Sequence, residues 1–416
     1  MAGSPAIALS TREKLERARV ASSSLAQLST EQKNGLLLKI AGALETHAAR
    51  ILRANDADIQ RSNLVGAMHD RLLLTHERIS QMAAAVTDVA GLPDPINEVL
   101  EEWRRPNGLL IRKVRVPLGV VGIVYESRPN VTVDAAVLCL KTGNSVVLRG
   151  GKEAAASNQV LAEIMSGVDG LPIGAIELLD STSRDTVQDL IRARGSVDVV
   201  IPRGGPGLIA YVMENALVPV IETGAGNCHI FVDESADFEM ASRIILNAKT
   251  QRPSVCNSAE KLLVHSRVAS KFIPQIASQL VQAGVEVRGD QATCRLALGI
   301  APATEKDWGE EYLRLCIAIR VVDGLEDAIE HINRFSTKHS EAIITNDEVN
   351  ANKFLRLVDS AAVYWNASTR FTDGGEFGFG AEMGISTQKL HCRGPFALRE
   401  LTSSKYQVIG TGQVRQ

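Results

Sequence analysis

The residue of this chain that is best placed for nucleophilic chemistry is a cysteine in a polar loop. Cys256 follows the proline-marked segment 249–255, and Arg252 lies four residues before it. An amphipathic run over 240–249 predicts a helix before the loop, and the apolar run 261–265 predicts a strand after it. The thiolate is the reactive form of cysteine, and a neighbouring cation favours it. The pattern therefore indicates a nucleophile, with an inert buried thiol as the alternative.

A second group of candidates lies where predicted strands end. From residue 116 the chain alternates strands with helices, and the predicted strands are 120–125, 145–149, 176–179, 198–201 and 218–221. This alternation of strands and helices predicts an open parallel α/β sheet, in which ligands bind beyond the carboxyl ends of the strands. The polar and glycine residues at those ends are Arg149, Lys152, Arg203, Gly204, Gly205 and Glu222.

Several of these residues suit phosphate groups. Arg203, Gly204 and Gly205 offer a cation and bare backbone at a helix start, which suits a pyrophosphate, although the GxGxxG spacing is absent. The two cations that flank a glycine pair, Arg149 and Lys152, suit a phosphomonoester. The alternative is a plain turn for the first group and a solvated surface pair for the second.

Two further polar groups have both a functional and a structural interpretation. Glu222 ends an apolar strand, so it could be a general base or an acceptor for loop amides. Lys389, His391 and Arg393 follow a glycine-rich stretch, 371–384, and could hold a substrate anion or face solvent. The glycines of that stretch suit a loop that closes over a site.

Local patterns predict the elements around these candidates. Ser29 with Gln32 is a capping-box pattern at a helix start, and 67–92 predicts a further amphipathic helix. Asn107-Gly108 between alternating runs predicts a β-hairpin over 99–117, with positive φ at both turn residues. The remaining predictions are a helix that Asn130 caps and that runs to residue 142, a helix at 327–335, and strands at 262–265, 315–322, 342–345 and 401–409.

Composition and charge exclude several classes of function. The chain has 416 residues, enough for two or three domains, with 45% hydrophobic and 22% charged residues. A net charge of −3 gives no electrostatic basis for binding nucleic acid or an anionic membrane. No apolar run is long enough to span a membrane, and the N-terminus lacks the order of a secretory signal. The six cysteines form no CxxC or metal-ligand spacing, so we expect reduced thiols, no metal and a cytoplasmic location.

Four motifs resemble those of the aldehyde dehydrogenase superfamily and, within it, of the gamma-glutamyl phosphate reductases. They are Tyr-Glu-Ser-Arg-Pro-Asn at 125–130, Ile-Pro-Arg-Gly-Gly at 201–205, Gln-Arg-Pro-Ser-Val-Cys-Asn at 251–257 and Gly-Ile-Ser-Thr-Gln-Lys-Leu-His at 384–391. The resemblance covers nearly the whole chain. It implies NADPH-dependent reduction of L-glutamyl 5-phosphate to L-glutamate 5-semialdehyde and phosphate, through a cysteinyl thioester, in L-proline biosynthesis. The alternatives are a coenzyme A-acylating or other aldehyde dehydrogenase, and a non-catalytic NADP-binding protein.

The resemblance also implies catalytic roles for single residues. Cys256 is the nucleophile, and its backbone amide helps to hold the oxyanion. Glu222 matches the hydrolytic base of the wider family, although a reductase has no use for a base that hydrolyses its thioester. Where the wider family has an oxyanion-binding asparagine, this chain has Ser127, so Asn130 is the candidate replacement.

Cofactor and substrate residues are expected on the same grounds. Lys152 stands where the wider family has a glutamate that favours a free ribose 2′-hydroxyl, and a cation there favours the 2′-phosphate of NADPH. The residues expected at the cofactor are Arg149, Lys152, Arg203, Gly204, Gly205 and Glu311. The residues expected at the phosphate and carboxylate of the substrate are Arg128, Arg252, Lys389, His391 and Arg393.

The fold that the resemblance implies is α/β and aldehyde dehydrogenase-like. A Rossmann-type cofactor domain takes 1–100 and 118–225, an α/β catalytic domain takes 226–380, and a small β oligomerisation element takes 101–117 and 395–416. We expect a homodimer or a larger homo-oligomer. L-Glutamyl 5-phosphate is the expected small-molecule partner, and glutamate 5-kinase is a candidate protein partner.

Overall fold

A computed structural model of the chain describes residues 9–126, 128–183 and 185–415, without the side chain of Ala67. Ser127 lies outside the described residues. The first eight residues, on which the expectation about a secretory signal partly rests, also lie outside them. The helices are α1 Thr11–Leu25, α2 Thr30–Thr46, α3 Ala48–Arg61, α4 Ala67–Leu72, α5 His76–Gly91, α6 Pro129–Lys141, α7 Ala155–Ser166, α8 Asp185–Arg192, α9 Pro206–Asn215, α10 Phe238–Thr250, α11 Ser266–Gln282, α12 Gln291–Leu296, α13 Glu305–Gly309, α14 Leu325–Phe335 and α15 Glu348–Leu357. The strands are β1 Val99–Arg104, β2 Leu110–Pro117, β3 Val120–Tyr125, β4 Ser145–Arg149, β5 Ile176–Leu178, β6 Val199–Arg203, β7 Cys228–Val232, β8 Ala259–His265, β9 Glu286–Gly289, β10 Ala301–Pro302, β11 Cys316–Val322, β12 Ser340–Ile344, β13 Ala362–Trp365, β14 Gly384–Ser386, β15 Gly394–Phe396 and β16 Thr402–Ile409.

The chain divides into two compact units, and the chain passes between them more than once. The first unit runs to Glu222 and also contains Phe379–Met383 and the C-terminal segment that starts at Phe396. The second unit comprises Thr223–Gly378 and Gly384–Pro395. The loop with Cys256 therefore belongs to the second unit. The residues at the strand ends belong to the first unit, namely Arg149, Lys152, Arg203, Gly204, Gly205 and Glu222.

The N-terminal helices of the first unit follow local sequence only in part. α2 starts at the predicted capping box, in which Ser29 Oγ accepts from the Gln32 amide at 3.3 Å and Gln32 Oε1 accepts from the Ser29 amide at 2.8 Å. The prediction of one helix over 67–92 is wrong, because α4 and α5 are separate helices. Thr75 Oγ1 accepts from the Arg78 amide at 3.2 Å, so the side chain of Thr75 starts a new helix there.

A four-stranded parallel sheet with the order β5-β4-β3-β6 forms the centre of the first unit. Every residue of β3 is buried, as expected for a strand that is covered on both faces. The prediction of a strand at 218–221 is wrong, since only Val220 forms a bridge, to Val200. Pro219 has no amide hydrogen to donate, so a regular ladder does not form along this segment. The sheet has the Rossmann-type parallel arrangement that the sequence predicts.

The predicted hairpin is present, but its turn differs from the prediction. β1 and β2 pair antiparallel, and β16 pairs with the other edge of β2. Of the two turn residues, Gly108 has a positive φ of 90° and Asn107 does not. The Arg105 amide donates to the Leu109 carbonyl at 2.8 Å, and the Gly108 amide donates to the Arg105 carbonyl at 2.9 Å. The loop is therefore longer than a two-residue turn, and only its last position needs glycine.

The second unit is built on a seven-stranded parallel sheet with the order β10-β9-β11-β8-β7-β12-β13. Its strands alternate between two apolar clusters: Leu262 packs with residues of α10 and α11, and Leu263 packs with residues of α14 and α15. Successive strand residues point to opposite faces, so helices cover both sides of the sheet. The predicted strands at 262–265, 315–322 and 342–345 are confirmed within a few residues by β8, β11 and β12.

Candidate active site

The candidate nucleophile lies at the edge of the second sheet where the strands begin. Cys256 is partly buried in the loop that joins the end of α10 to the start of β8. β7, β11 and β12 run parallel to β8, so the segments before them reach the same edge. Ligands of parallel sheets usually bind at the opposite, carboxyl edge. The candidate nucleophile of this chain is an exception to that rule, because its loop comes before its strand.

Gly226, just before β7, lies against the backbone of Cys256. A Cβ atom added to Gly226 would stand 1.4 Å from the Cys256 carbonyl oxygen and 2.7 Å from its Cα, so glycine is required by this close approach. The Gly226 amide donates to Glu311 Oε1 at 2.6 Å. Burial raises the pKa of Glu311, which the family resemblance implies is at the cofactor. In the structure Glu311 anchors the glycine on which the nucleophile rests, and its expected cofactor role stays a prediction.

A second cysteine supports the loop from inside the unit. The Cys228 thiol is fully buried and donates to the Cys256 carbonyl, with Sγ 3.1 Å from the oxygen. Burial raises the pKa of Cys228 well above its ordinary value, and the charge of Glu341 adds to the rise. Cys228 is therefore a neutral hydrogen-bond donor at neutral pH and a poor nucleophile. The sequence analysis did not single it out, because nothing in its local sequence marks it.

The residue after the nucleophile is bound to a short turn that lies far away in sequence. Thr369 Oγ1 donates to the Asn257 carbonyl at 2.8 Å, and Asn257 Nδ2 donates to the Thr372 carbonyl at 2.8 Å. The guanidinium of Arg370 binds Asn257 Oδ1 through Nη1 and Gln251 Oε1 through Nε, the latter at 2.8 Å. The turn thus brings a partly buried arginine to the loop of Cys256, and the sequence analysis missed it.

A buried charge cluster joins the two elements that flank the loop. Lys249, in the last turn of α10, and Glu260, in β8, are both fully buried, with Nζ 3.2 Å from Oε1. Next to them Lys261 donates from Nζ to the Glu310 carbonyl at 2.7 Å. Burial lowers the pKa of Lys249, lowers that of Lys261 to about 8 and raises that of Glu260 to about 7. The cluster ties α10 to β8 and so limits the positions that the intervening loop can take.

Two of the expected substrate cations share a carboxylate instead. Lys389 Nζ lies 2.7 Å from Asp359 Oδ2, Arg393 Nη1 lies 2.9 Å from Oδ1, and Lys338 Nζ lies 3.2 Å from Oδ2. The bond with Lys389 is the first of the interactions that hold the pKa of Asp359 well below its ordinary value. Their expected substrate role remains a prediction. His391 and Arg252 are exposed, and Arg252 lies in the loop of Cys256.

In the first unit, several protein groups that were expected to bind phosphate have hydrogen-bond partners within the protein. The Gly205 amide at the start of α9 donates to Glu126 Oε2 at 2.8 Å, and a Cβ at Gly204 would stand 2.7 Å from the Glu126 carboxyl carbon. Arg149 donates from Nη2 to the Ser183 carbonyl at 2.9 Å, and burial lowers its pKa. At the same strand ends Lys152 is exposed and Arg203 is partly buried.

The helix after β3 starts one residue earlier than its predicted cap. Pro129 is the first residue of α6 and Arg128 occupies the capping position, so the prediction that Asn130 caps the helix is wrong. Asn130 is exposed and donates from Nδ2 to Asp134 Oδ2 at 3.1 Å, and burial raises the pKa of Asp134 to about 6. Arg128 is exposed, and Glu222 is partly buried at the end of the first unit.

The described residues support neither a metal site nor a membrane-spanning helix. Among residues 9–126, 128–183 and 185–415, no group of three or more histidine, cysteine, aspartate or glutamate side chains is arranged to hold a metal ion. Within the same part of the chain, no helix combines the length and the apolar character needed to cross a membrane.

Comparison with known proteins places this fold and site in a class. The sequence matches the aldehyde dehydrogenase family over residues 7–296. It is 64% identical to a gamma-glutamyl phosphate reductase of Koribacter versatilis, over 98% of this chain and 100% of the relative, and 56% identical to one of Moorella thermoacetica, over 99% and 100%. The crystal structure of a gamma-glutamyl phosphate reductase from Thermotoga maritima superposes with a TM-score of 0.96 at 50% identity, over 98% of this chain and 100% of that one. The chain therefore belongs to the aldehyde dehydrogenase family and, within it, to the group of the gamma-glutamyl phosphate reductases.

Proposed function

We propose that this chain is an oxidoreductase that reduces L-glutamyl 5-phosphate to L-glutamate 5-semialdehyde, with NADPH as reductant and release of phosphate, in L-proline biosynthesis. The observation that carries the proposal is the close backbone support of Cys256 in a chain that matches a named reductase over 98% of its length. Gly226 and Cys228 hold the carbonyl of Cys256, and Asn257 binds the turn with Arg370.

The reaction divides into two steps at the sulfur of Cys256. The thiolate attacks the carbonyl carbon of the acyl phosphate, the bond from that carbon to the phosphate oxygen breaks, and a thioester and free phosphate result. NADPH, when bound, supplies the hydride that reduces the thioester. The carbon–sulfur bond then breaks, which releases the aldehyde and restores the thiolate. The backbone amide of Cys256 stabilises the oxyanion in both steps.

The residues of the first unit fit a nicotinamide dinucleotide under one condition. Lys152 and Arg203 present cations at the carboxyl ends of β4 and β6, and Gly204 and Gly205 offer backbone without side chains. The carboxylate of Glu126 must turn away from the Gly205 amide before a pyrophosphate can bind there. The choice of NADPH rests on Lys152. In Lys152→Glu we expect a higher KM for NADPH and a lower KM for NADH, and unchanged values would contradict this assignment.

Three of the expected roles belong to this proposal. Glu222 orients the cofactor or product and does not activate water, since water would hydrolyse the thioester. Asn130 serves as the side-chain donor to the oxyanion, and Glu311 contacts the nicotinamide ribose. For Asn130 and Glu311 we expect replacement to lower activity with an intact thermal unfolding curve, and a fully active Asn130→Ala or Glu311→Gln variant would remove that residue from the proposal. For Glu222 we expect Glu222→Gln to weaken the binding of cofactor or product. Fully lost semialdehyde formation with intact cofactor binding would contradict the orienting role.

The proposal extends to assembly and location. The sheet of β1, β2 and β16 presents the exposed side chains of Tyr406 and Val408 and an edge-on contact between Trp103 and Tyr406. We assign this sheet to contacts between copies of the chain, and a Tyr406→Lys variant that sediments like the wild type would contradict that. The structure shows no disulfide among the six cysteines, all of which lie in the described part of the chain, and this agrees with the reducing cytoplasm. Glutamate 5-kinase, as the source of the acyl phosphate, is the proposed protein partner.

The reverse reaction tests the proposed chemistry. L-Glutamate 5-semialdehyde and NADP⁺ are supplied with and without inorganic phosphate, and NADPH formation is followed by absorbance. We expect strict phosphate dependence, which Cys256→Ser abolishes and Cys294→Ser preserves; Cys294 is a matched control because its thiol is also partly buried. Reduction without phosphate would mean that water deacylates the thioester. A requirement for coenzyme A in place of phosphate would identify a coenzyme A-acylating enzyme.

A further inference from the structure

We propose that Arg370, together with Arg252, forms the site that holds the phosphoryl group next to Cys256. This inference rests on the proposed function and makes it more specific, because it separates the phosphate of the substrate from its α-carboxylate. The sequence leaves that assignment open among several cations, and Arg370 is not one of them.

The position of Arg370 relative to the nucleophile is set by hydrogen bonds to the adjacent residue. Asn257 directly follows Cys256 and is 113 positions from Arg370 in sequence. Its side chain donates to the carbonyls of Thr372 and Arg370, at 2.8 and 3.3 Å, and its carbonyl accepts from Thr369 Oγ1 at 2.8 Å. The guanidinium is also bound to Asn257 Oδ1, so four hydrogen bonds join the turn to this residue. They hold the cation of Arg370 at the residue that directly follows Cys256.

The partners of Arg370 orient its guanidinium without neutralising its charge. They are the side-chain oxygens of two amides, Asn257 and Gln251. Lys389 and Arg393, by contrast, both bind the carboxylate of Asp359. A phosphate must compete with Asp359 for these two residues but has no bound carboxylate to displace from Arg370. Arg370 is therefore better prepared for an anion, since bidentate guanidinium–phosphate pairs are among the stronger hydrogen-bonded contacts.

Arg252 lies in the loop of Cys256, near enough for its charge to act on Arg370. Burial lowers the pKa of Arg370, the nearby charge of Arg252 lowers it further, and the charges of Asp373 and Cys256 act in the opposite direction. Asp373 Oδ1 already accepts from the Gly375 amide at 2.8 Å. Two cations kept close together repel each other, and an anion with several negative oxygens relieves that repulsion.

The chemistry of the substrate decides which of its anions belongs beside Arg370. In an acyl phosphate the phosphorus is joined through one oxygen to the carbon that the thiolate attacks, whereas the α-carboxylate lies at the other end of the carbon chain. The anion closest to the sulfur is therefore the phosphate. In the forward direction Arg370 stabilises the charge on the departing phosphate. In reverse, a phosphate oxygen attacks the thioester carbonyl, the carbon–sulfur bond breaks, and the electron pair returns to the thiolate of Cys256.

Kinetics of the reverse reaction distinguish the two anions. We would vary inorganic phosphate at saturating semialdehyde, and semialdehyde at saturating phosphate, for wild type, Arg370→Gln, Arg370→Lys and the control Arg356→Gln, an exposed arginine of α15 in the same unit. A hydrogen bond between charged groups predicts a rise of roughly 10- to 100-fold in KM for phosphate in Arg370→Gln. We expect a smaller rise in Arg370→Lys, none in Arg356→Gln, and an unchanged KM for semialdehyde. A rise in KM for semialdehyde alone would assign Arg370 to the α-carboxylate and overturn the proposal.

A second measurement does not depend on turnover. Iodoacetamide alkylates Cys256, and the modified peptide is counted by mass spectrometry with and without inorganic phosphate. We expect phosphate to slow alkylation in wild type and in Arg356→Gln but not in Arg370→Gln, with Arg252→Gln intermediate. Equal protection in wild type and Arg370→Gln would refute the phosphate site. If wild type reduces NADP⁺ without phosphate, the proposed function fails, and the alkylation result then decides separately whether Arg370 binds phosphate.

Discussion

Adding a single methyl group at Gly226 should displace Cys256, the proposed nucleophile, without disturbing the rest of the second unit. In Gly226→Ala the new Cβ would stand 1.4 Å from the Cys256 carbonyl oxygen, and real contacts of this kind are essentially never shorter than 3.0 Å. Increasing this distance from 1.4 to 3.0 Å requires a movement of about 1.6 Å. Misplacing a reacting group by about 1 Å can lower the rate about 100-fold. The same movement breaks the hydrogen bond from Cys228. We therefore expect kcat of the reverse reaction to fall at least about 100-fold.

The assay compares Gly226→Ala with a glycine variant that has room for a methyl group. A Cβ at Gly309, in α13 of the same unit, meets nothing within 4 Å, so Gly309→Ala should keep the wild-type kcat. Thermal unfolding of both variants separates local displacement from loss of fold, and the alkylation rate of Cys256 reports the displacement directly. A Gly226→Ala enzyme with wild-type kcat would refute the idea that Gly226 sets the position of Cys256.

Three further changes test the support of the site. Cys228→Ala removes the donor to the Cys256 carbonyl, so kcat/KM should fall roughly 2- to 10-fold, as expected for one neutral hydrogen bond, whereas Cys228→Ser keeps a donor and should stay close to wild type; equal losses in the two variants would contradict this. Lys249→Met or Glu260→Gln alone leaves a buried charge without its partner and should cost about 3–5 kcal/mol, measured as a lower urea midpoint, and the double variant should lose much less than the two single losses added together. Additive losses would mean that the two groups are not coupled. Burial raises the pKa of Glu341 to about 8, so between the ordinary carboxyl range and pH 8 the unfolded chain is ionised at this residue while the folded protein keeps its proton. Stability should therefore decline as the pH rises through this window, Glu341→Gln should flatten the decline, and a variant with the wild-type slope would count against the assignment.

Local sequence was sufficient where a single turn or strand decides the structure. The capping box of Ser29 starts α2, the buried apolar run of β3 forms the centre of a parallel sheet, and the loop of Cys256 lies between the predicted helix and strand. These signals depend on neighbours within a few residues, which the sequence shows directly. The four motifs at 125–130, 201–205, 251–257 and 384–391 were also sufficient to indicate the family, which the comparisons confirm.

Local predictions were wrong where one residue overrides the surrounding pattern. Thr75 caps a new helix inside an amphipathic run, and Pro219 cannot donate to a ladder inside an apolar run. Asn130 has the chemistry of a helix cap, but Pro129 starts the helix before it. In each case a single residue in the sequence decides the local structure against the hydrophobic pattern around it.

The sequence by itself determined the type of most elements, the family and the identity of the candidate nucleophile, because these depend on residue chemistry and short-range spacing. Only the tertiary structure decided which residues surround that nucleophile. The order β11-β8-β7-β12 brings the starts of four parallel strands to one edge. Gly226 and Cys228 therefore contact Cys256 there, and Glu311 binds the amide of Gly226. Packing also decided which cations share a carboxylate and which, like Arg370, are oriented by neutral amides. Charge compensation of this kind depends on distances between side chains that are remote in sequence, and no local pattern encodes those distances.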